Sequence, residues 1–163
     1  MKISTKKPSF LTRLVKEEKL EITEPSEEIC SSYLEKAEKS LKSAKILLEN
    51  GLYENSVSMS YYAMYNSLTA LLFRTGIKCE NHSGSIILFR RLFRKDDLYK
   101  VISFAKKERV DKQYYVDFKL TKEPAVELFK KAENFLVEMK FIIRHLKTEE
   151  INEIRNRLKI MLT

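Results

Sequence analysis

A chain of 163 residues has room for one domain and a short extension, and near this size roughly 70% of the unfolded surface is buried on folding, so a core forms without staples. Three Gly and three Pro in the whole sequence exclude a turn-rich all-β fold. A net charge of +8, from 31 basic and 23 acidic residues, points to an anionic partner (nucleic acid, nucleotide, acidic protein or membrane surface) or to a merely well-solvated basic protein.

Residues 1–25 are mixed and polar, with Pro8 and Pro25. Phe10, Leu11, Leu14 and Val15 suggest one short amphipathic turn that docks an otherwise loose arm. Lys2, Lys6 and Lys7 are followed by no apolar run of signal-peptide type. No stretch approaches the roughly 20 apolar residues of a membrane span, so a soluble cytoplasmic protein is expected.

Ser26 with Glu27 and Glu28 marks a helix start, a capping hydroxyl followed by acids at the positive end of the dipole. From Cys30 to Leu48 apolar residues recur at three- and four-residue steps, the period of one buried helix face. Gly51 suits the left-handed cap position that ends it. A second helix is expected over about 53–74, ending at Gly76. Val57, Tyr61, Ala63, Met64, Leu68, Leu71 and Leu72 nearly surround it, which predicts a central position. The short join between the two predicts an antiparallel pair.

Residues 75–84 read as a loop, followed by a helix over about 85–94 and another after Asp96 or Asp97. Residues 106–120 fit either a continuation of that helix or an ordered loop. Thr121, Glu123 and Pro124 mark a further helix start, with a stripe from Leu128 to Leu146. Thr148 restarts a last helix with Ile151, Ile154, Leu158 and Met161 on one face and Arg155, Arg157 and Lys159 elsewhere. The expected division is an N-terminal extension over 1–25, a helical bundle over 26–147 and a basic C-terminal helix over 148–163. Cys30 and Cys79 lack metal-ligand spacing and read as reduced thiols, so no metal site and no cofactor is expected.

The run Ser58-Met-Ser-Tyr-Tyr-Ala-Met-Tyr65, followed by Ala70-Leu-Leu72, resembles the signature helix of the HEPN family, and Gly76 to Gly84 resembles that family's Gly-x-x-x-x-x-His-Ser-Gly loop. Residues 37–55 are similar to the family's first helix and turn. Glu108-Arg109-Val110-Asp111 is a looser echo of an Arg-x-x-Ala-Asp-Tyr motif, with Tyr114 further away. The likeness spans roughly residues 27–145. It implies an all-α antiparallel bundle of four to five helices with additional terminal segments. It also implies frequent homodimers and frequent pairing with a minimal nucleotidyltransferase in toxin–antitoxin-like systems. A homodimer is expected through helix 53–74 or its neighbours, given apolar groups such as Phe89, Phe93, Phe135, Phe141 and Ile143.

Ribonuclease members of that family carry Arg, four to six residues, then His. The reaction needs a fixed cation for phosphorane charge and a proton-transfer group near neutrality. Here Arg74 precedes His82 by seven intervening residues, Arg144 is adjacent to His145, and Arg109 has no following histidine within that spacing. The weak catalytic candidates are Arg74, His82 and Arg109. As a binding element, His82 with Ser83 and Lys78 fits an anion site at a helix start; the alternative is that His82 or Ser83 simply caps the helix. Tyr61, Tyr62 and Tyr65 read as core packing rather than a stacking platform, and Tyr114 as the better stacking candidate. Residues 90–112 concentrate nine basic side chains against four acidic ones, among them Arg90, Arg91, Arg94 and Arg109. Arginine suits bidentate phosphate contacts, although a solvated helix face explains the same residues.

The expected function is a helical module binding nucleotide or RNA beside a nucleotidyltransferase partner. The alternatives are a metal-independent ribonuclease toxin with a non-standard active site, its residues converging across a dimer cleft, and a purely structural adaptor.

Overall fold

The computed structural model describes residues 8–113 and 120–163. Its helices are α1 (Phe10–Lys16), α2 (Glu27–Glu49), α3 (Tyr53–Arg74), α4 (His82–Leu88), α5 (Asp96–Gln113), α6 (Lys122–His145) and α7 (Thr148–Leu162). The architecture is an all-α bundle with one added two-stranded ribbon, β1 (Leu20–Ile22) against β2 (Ile77–Cys79).

Local signals account for most boundaries. Ser26 Oγ accepts the Ile29 N–H at 3.1 Å and opens α2. Ala37 and Ala44 are fully buried on the face of α2 that meets α3. Small side chains there let the two backbones approach, and Ser56 of α3 donates to the Ala44 carbonyl at 2.8 Å. Gly51, with φ +73°, ends α2 in the left-handed conformation that glycine adopts without strain.

α3 is the core of the molecule. Tyr61, Met64, Leu68 and Leu71 are completely buried on it. α6 covers one side with Leu128, Phe135 and Met139, and α5 another with Ile102 and Ala105. Phe89 and Phe135 meet edge to face at 6.3 Å. The apolar inventory is therefore mostly consumed inside one chain: Phe89 and Phe135 are buried, Phe93 and Ile143 pack against the core, and Phe141 stays 60% exposed.

Three features depart from the linear reading. First, segments read as polar arm and loop pair as antiparallel strands, Leu20 with Cys79 and Ile22 with Ile77. Three residues are too short a run for the two-residue period to announce itself. Second, the helix expected to run to Arg94 widens into a π-helical turn at Phe89–Phe93, and Arg94 takes φ +55°. The widened turn keeps Leu88, Phe89 and Leu92 all inside the core. Third, Arg155 and Arg157 are anchors rather than a free basic face. Arg155 Nη1 donates to the carbonyls of Thr23, Thr75 and Gly76 at 2.6, 3.1 and 3.1 Å, and Arg157 Nη1 to that of Leu92 at 2.8 Å. These carbonyls lie at helix ends and in the loop before α2, where acceptors lack intrahelical donors. α7 thereby ties the N-terminal arm, the end of α3 and the π turn together, with Ile151, Ile154 and Leu158 buried beneath it.

The arm docks as its apolar groups suggest. Leu11 and Leu14 are buried and Phe10 packs on the core, while Val15 is outside.

Candidate functional site

The site is assembled from α3, α4 and α5. α3 carries Tyr61, Tyr62 and Tyr65 toward the start of α4. There Asn81 is the cap: its Oδ1 accepts the Gly84 N–H at 2.8 Å. Neither His82 nor Ser83 is needed for that purpose, and both side chains turn to tertiary partners. His82 Nδ1 lies 2.7 Å from the Tyr61 hydroxyl. The His82 ring stacks on Tyr65 with centroids 3.8 Å apart and planes 15° apart. Ser83 Oγ accepts from Lys106 Nζ at 2.7 Å.

Lys106 and Arg109 are three residues apart on α5 and so share a face. The Arg109 guanidinium lies 4.6 Å from the Tyr62 ring centre and 5.5 Å from that of Tyr61. Its Nε is buried and finds no hydrogen-bond acceptor among the described residues.

Electrostatics follow from this crowding. Burial pushes the His82 pKa down, and the charges of Arg109 and Lys106 push it the same way, so the imidazole is neutral near pH 7. Burial also raises the Tyr61 hydroxyl far above the ordinary tyrosine range. Between two neutral groups, an imidazole nitrogen accepts more strongly than a phenol oxygen, and a phenol O–H donates readily. The short contact is accordingly assigned as Tyr61 O–H donating to Nδ1, which leaves the ring proton on Nε2. His82 is then a second donor beside two cations.

Two hollows flank this centre. A groove of about 470 Å³ runs along α3 past His82, with Tyr33 and Lys36 of α2, Lys78 of β2, and Tyr65 and Phe73 among its walls. A shallower one of about 380 Å³ holds Ser83, Tyr99, Ser103, Lys106 and Lys107. A larger cleft, about 920 Å³, lies instead between residues 92–98, α6 and α7. Five carboxylates (Asp96, Asp97, Glu138, Glu150 and Glu153) line it against Arg94, Lys95 and Arg157, the wrong balance for an anion. Among the described residues no group of three His, Cys, Asp or Glu side chains could hold a metal ion, and no helix is long and apolar enough to cross a membrane.

The sequence candidates divide accordingly. His82, Ser83 and Arg109 come together within one chain. Lys78 borders the groove and pairs with Glu80 at 3.1 Å. Arg74 is held by Glu27 at the start of α2, 3.2 Å away, and does not join them. Arg90 lies 4.8 Å over Tyr99, whose ring lines the shallower hollow, and 3.9 Å from Asp96. Arg91 is exposed, and Arg94 faces the acidic cleft. Tyr114 lies outside the described residues. In the sequence Lys106 stood out only as part of the basic run 90–112 and Tyr33 only as part of the apolar stripe of α2, while Lys36 and Phe73 were not singled out, because nothing local marks any of the four as a site residue. The three tyrosines were legible as packing groups, but the link of Tyr61 and Tyr65 to His82 was not.

A sequence profile of the HEPN domain matches residues 30–142. The chain belongs to the HEPN family. "Putative toxin MJ0605" of Methanocaldococcus jannaschii is 33% identical over 118 residues, 69% of this chain and 87% of that protein. A UPF0332 protein of Archaeoglobus fulgidus is 33% identical over 111 residues, covering 66% and 89% of the two chains. A UPF0332 protein of Thermotoga maritima is 29% identical over 126 residues, covering 74% and 96%. Every group that converges on His82 lies inside the matched HEPN segment, whereas α1, β1 and α7 lie outside it. In this HEPN chain the Arg-to-His spacing of the ribonuclease motif is absent from the sequence, yet Arg109 from α5 and His82 from α4 surround the same tyrosines.

Proposed function

We propose that this HEPN protein is a toxin-like module that binds RNA or nucleotide phosphate at the His82–Arg109–Lys106 centre, working beside a nucleotidyltransferase. The observation that carries this reading is the buried Arg109 Nε without an acceptor. An unsatisfied buried charged donor is costly, and a phosphate oxygen would satisfy it. Nε2–H of His82 and the Lys106 ammonium add two donors of the same sense. The toxin names of relatives support the same class.

The test is binding of a fluorescent single-stranded RNA. Arg109→Gln removes a charge-assisted contact of roughly 1.5–3 kcal/mol, so affinity should fall about ten- to a hundredfold. Unchanged affinity would remove the centre from consideration. The partner is tested by co-purification with the product of the adjacent reading frame. A homodimer belongs to this reading, with α6 as its face, because the apolar residues of α3 are mostly buried in its own bundle while Val137 and Phe141 are 66% and 60% exposed.

One observation favours a second reading, metal-independent RNA cleavage: His82 and Arg109 do surround one cluster. A base at His82 would need the opposite tautomer, with Nδ1–H donating into the Tyr61 oxygen. RNA cleavage by the purified chain that His82→Ala abolishes would establish it; intact RNA would leave binding as the function.

A further inference from the structure

The groove past His82 leaves part of the central helix α3 open. Met59, Tyr62, Asn66, Thr69 and Phe73 recur at three- and four-residue steps and so share a face. Those 15 positions span roughly 20 Å of helix. Most of α3 between Ser56 and Leu72 is buried, yet along this stripe Tyr62, Tyr65 and Phe73 are only half-buried. We infer that this groove is a nucleobase pocket that takes one unpaired base and directs its phosphate to the His82–Arg109 centre.

The inference rests on reading that centre as an anion site, and three independent features extend it to a base. The first is flat surface. Tyr33 and Phe73 lie nearly parallel, 14° apart with centroids at 5.5 Å, and form one wall. The stacked Tyr65–His82 pair forms another part of the lining. Aromatic faces are what a splayed-out base stacks on. The second is a polar floor. Asn66 is only 6% exposed and donates through Nδ2 to Ser40 Oγ over a long 3.3 Å. A carboxamide carries both a donor and an acceptor, the pattern that reads the edge of a base. The third is charge at the rim. Lys36 is exposed 5.6 Å from the Tyr33 ring centre, and Lys78 stands on β2. The volume, about 470 Å³, lies within the range of small-molecule sites. The groove is a side-chain-lined slot rather than a broad basic face, which suits a single base and not a duplex.

The ligand chemistry is a nucleoside 5′-phosphate, either free or as part of a single strand. Titrations of the full chain with AMP, UMP, ribose 5-phosphate and a single-stranded oligoribonucleotide test it. A nucleotide or the oligonucleotide should bind about tenfold or more tighter than ribose 5-phosphate, the gain expected of one stacked base. Tyr33→Leu with Asn66→Ser should erase that preference and leave ribose 5-phosphate binding unchanged. Lys36→Gln, at an exposed position, is the fallback if the double variant does not fold, and should weaken nucleotide binding severalfold. Tight AMP or UMP binding assigns the pocket to free nucleotide; binding of the oligonucleotide alone assigns it to RNA. Equal binding of ribose 5-phosphate and nucleotides, with both weakened by Arg109→Gln, would overturn the base pocket and keep the anion centre. No phosphate-dependent binding at all, and no effect of Arg109→Gln, would overturn both.

Discussion

His82 sits between a phenol that keeps its proton and two cations, and its protonation is therefore tied to folding. In the unfolded chain an imidazole titrates near pH 6.5, whereas in the folded chain burial, Arg109 and Lys106 lower its pKa. Between those two values the unfolded chain holds a proton that the folded chain lacks. This contribution to stability is intact above about pH 6.5 and is lost as pH falls toward the folded value. Thermal midpoints at pH 7.5 and pH 5 should differ less for His82→Gln than for the unaltered chain; an equal difference would show that His82 is not the group responsible. Gly76 is constrained in a different way. Its φ is +73°, and a Cβ there would collide with the Arg155 guanidinium and the Thr23 carbonyl. Gly76→Ala should cost on the order of 2 kcal/mol or more, from backbone strain and loss of the Arg155 contacts. A urea midpoint that does not move would contradict this.

At the scale of elements, two helices hold the fold in different ways. α3 does so by apolar burial, so Leu68→Ala, at a fully buried position, should destabilise by on the order of 2–5 kcal/mol. α7 does so by donors placed on backbone carbonyls of distant segments. Arg155→Met keeps much of the side chain's apolar stem but leaves the Thr23, Thr75 and Gly76 carbonyls without that donor. A loss of about 1–3 kcal/mol is expected, with hydrogen exchange accelerating at β1 and α7 before α3. Uniform acceleration across all helices would mean that α7 is not a separable clamp.

At the scale of the molecule, the +8 charge is not one surface. Arg155 and Arg157 are spent on backbone, Arg94 faces carboxylates, and Arg90 is engaged by Tyr99 and Asp96. Lys106 and Arg109 remain at the centre. RNA binding should weaken as salt rises, because each phosphate contact releases condensed counterions. Replacing Lys106 and Arg109 with Gln should flatten that dependence by about two contacts' worth of slope. Arg90 and Arg94 to Gln should flatten it less, and the exposed pair Lys16 and Lys159 to Gln hardly at all. Equal effects from all three pairs would reduce the site to bulk charge. Light scattering should return about twice the 19.3 kDa chain mass if α6 forms the dimer face; a monomer mass at micromolar concentration would exclude it.

What the sequence determined by itself was set by near neighbours. Helix periodicity, the Ser26 cap, the left-handed glycine at 51, the helix stop at Gly76 and the central place of α3 all depend on residues within a few positions of one another. The tyrosine helix and the His-Ser-Gly loop carried the family for the same reason, as short contiguous runs. Only the tertiary structure decided what those residues do together. The π turn at Phe89–Phe93 follows from which side chains the core accepts. The β1–β2 ribbon joins segments too short to show a period. Arg155 reaches a carbonyl 132 positions away, and Lys106 reaches a serine 23 positions away. Such partners leave no periodic mark along the chain, because a hydrogen bond or a ring stack is fixed by where helices cross and not by the spacing of residues. His82 was thus visible in the sequence as a candidate, but its neutral state, its Tyr61 bond and its company with Arg109 came from the packing of α3, α4 and α5.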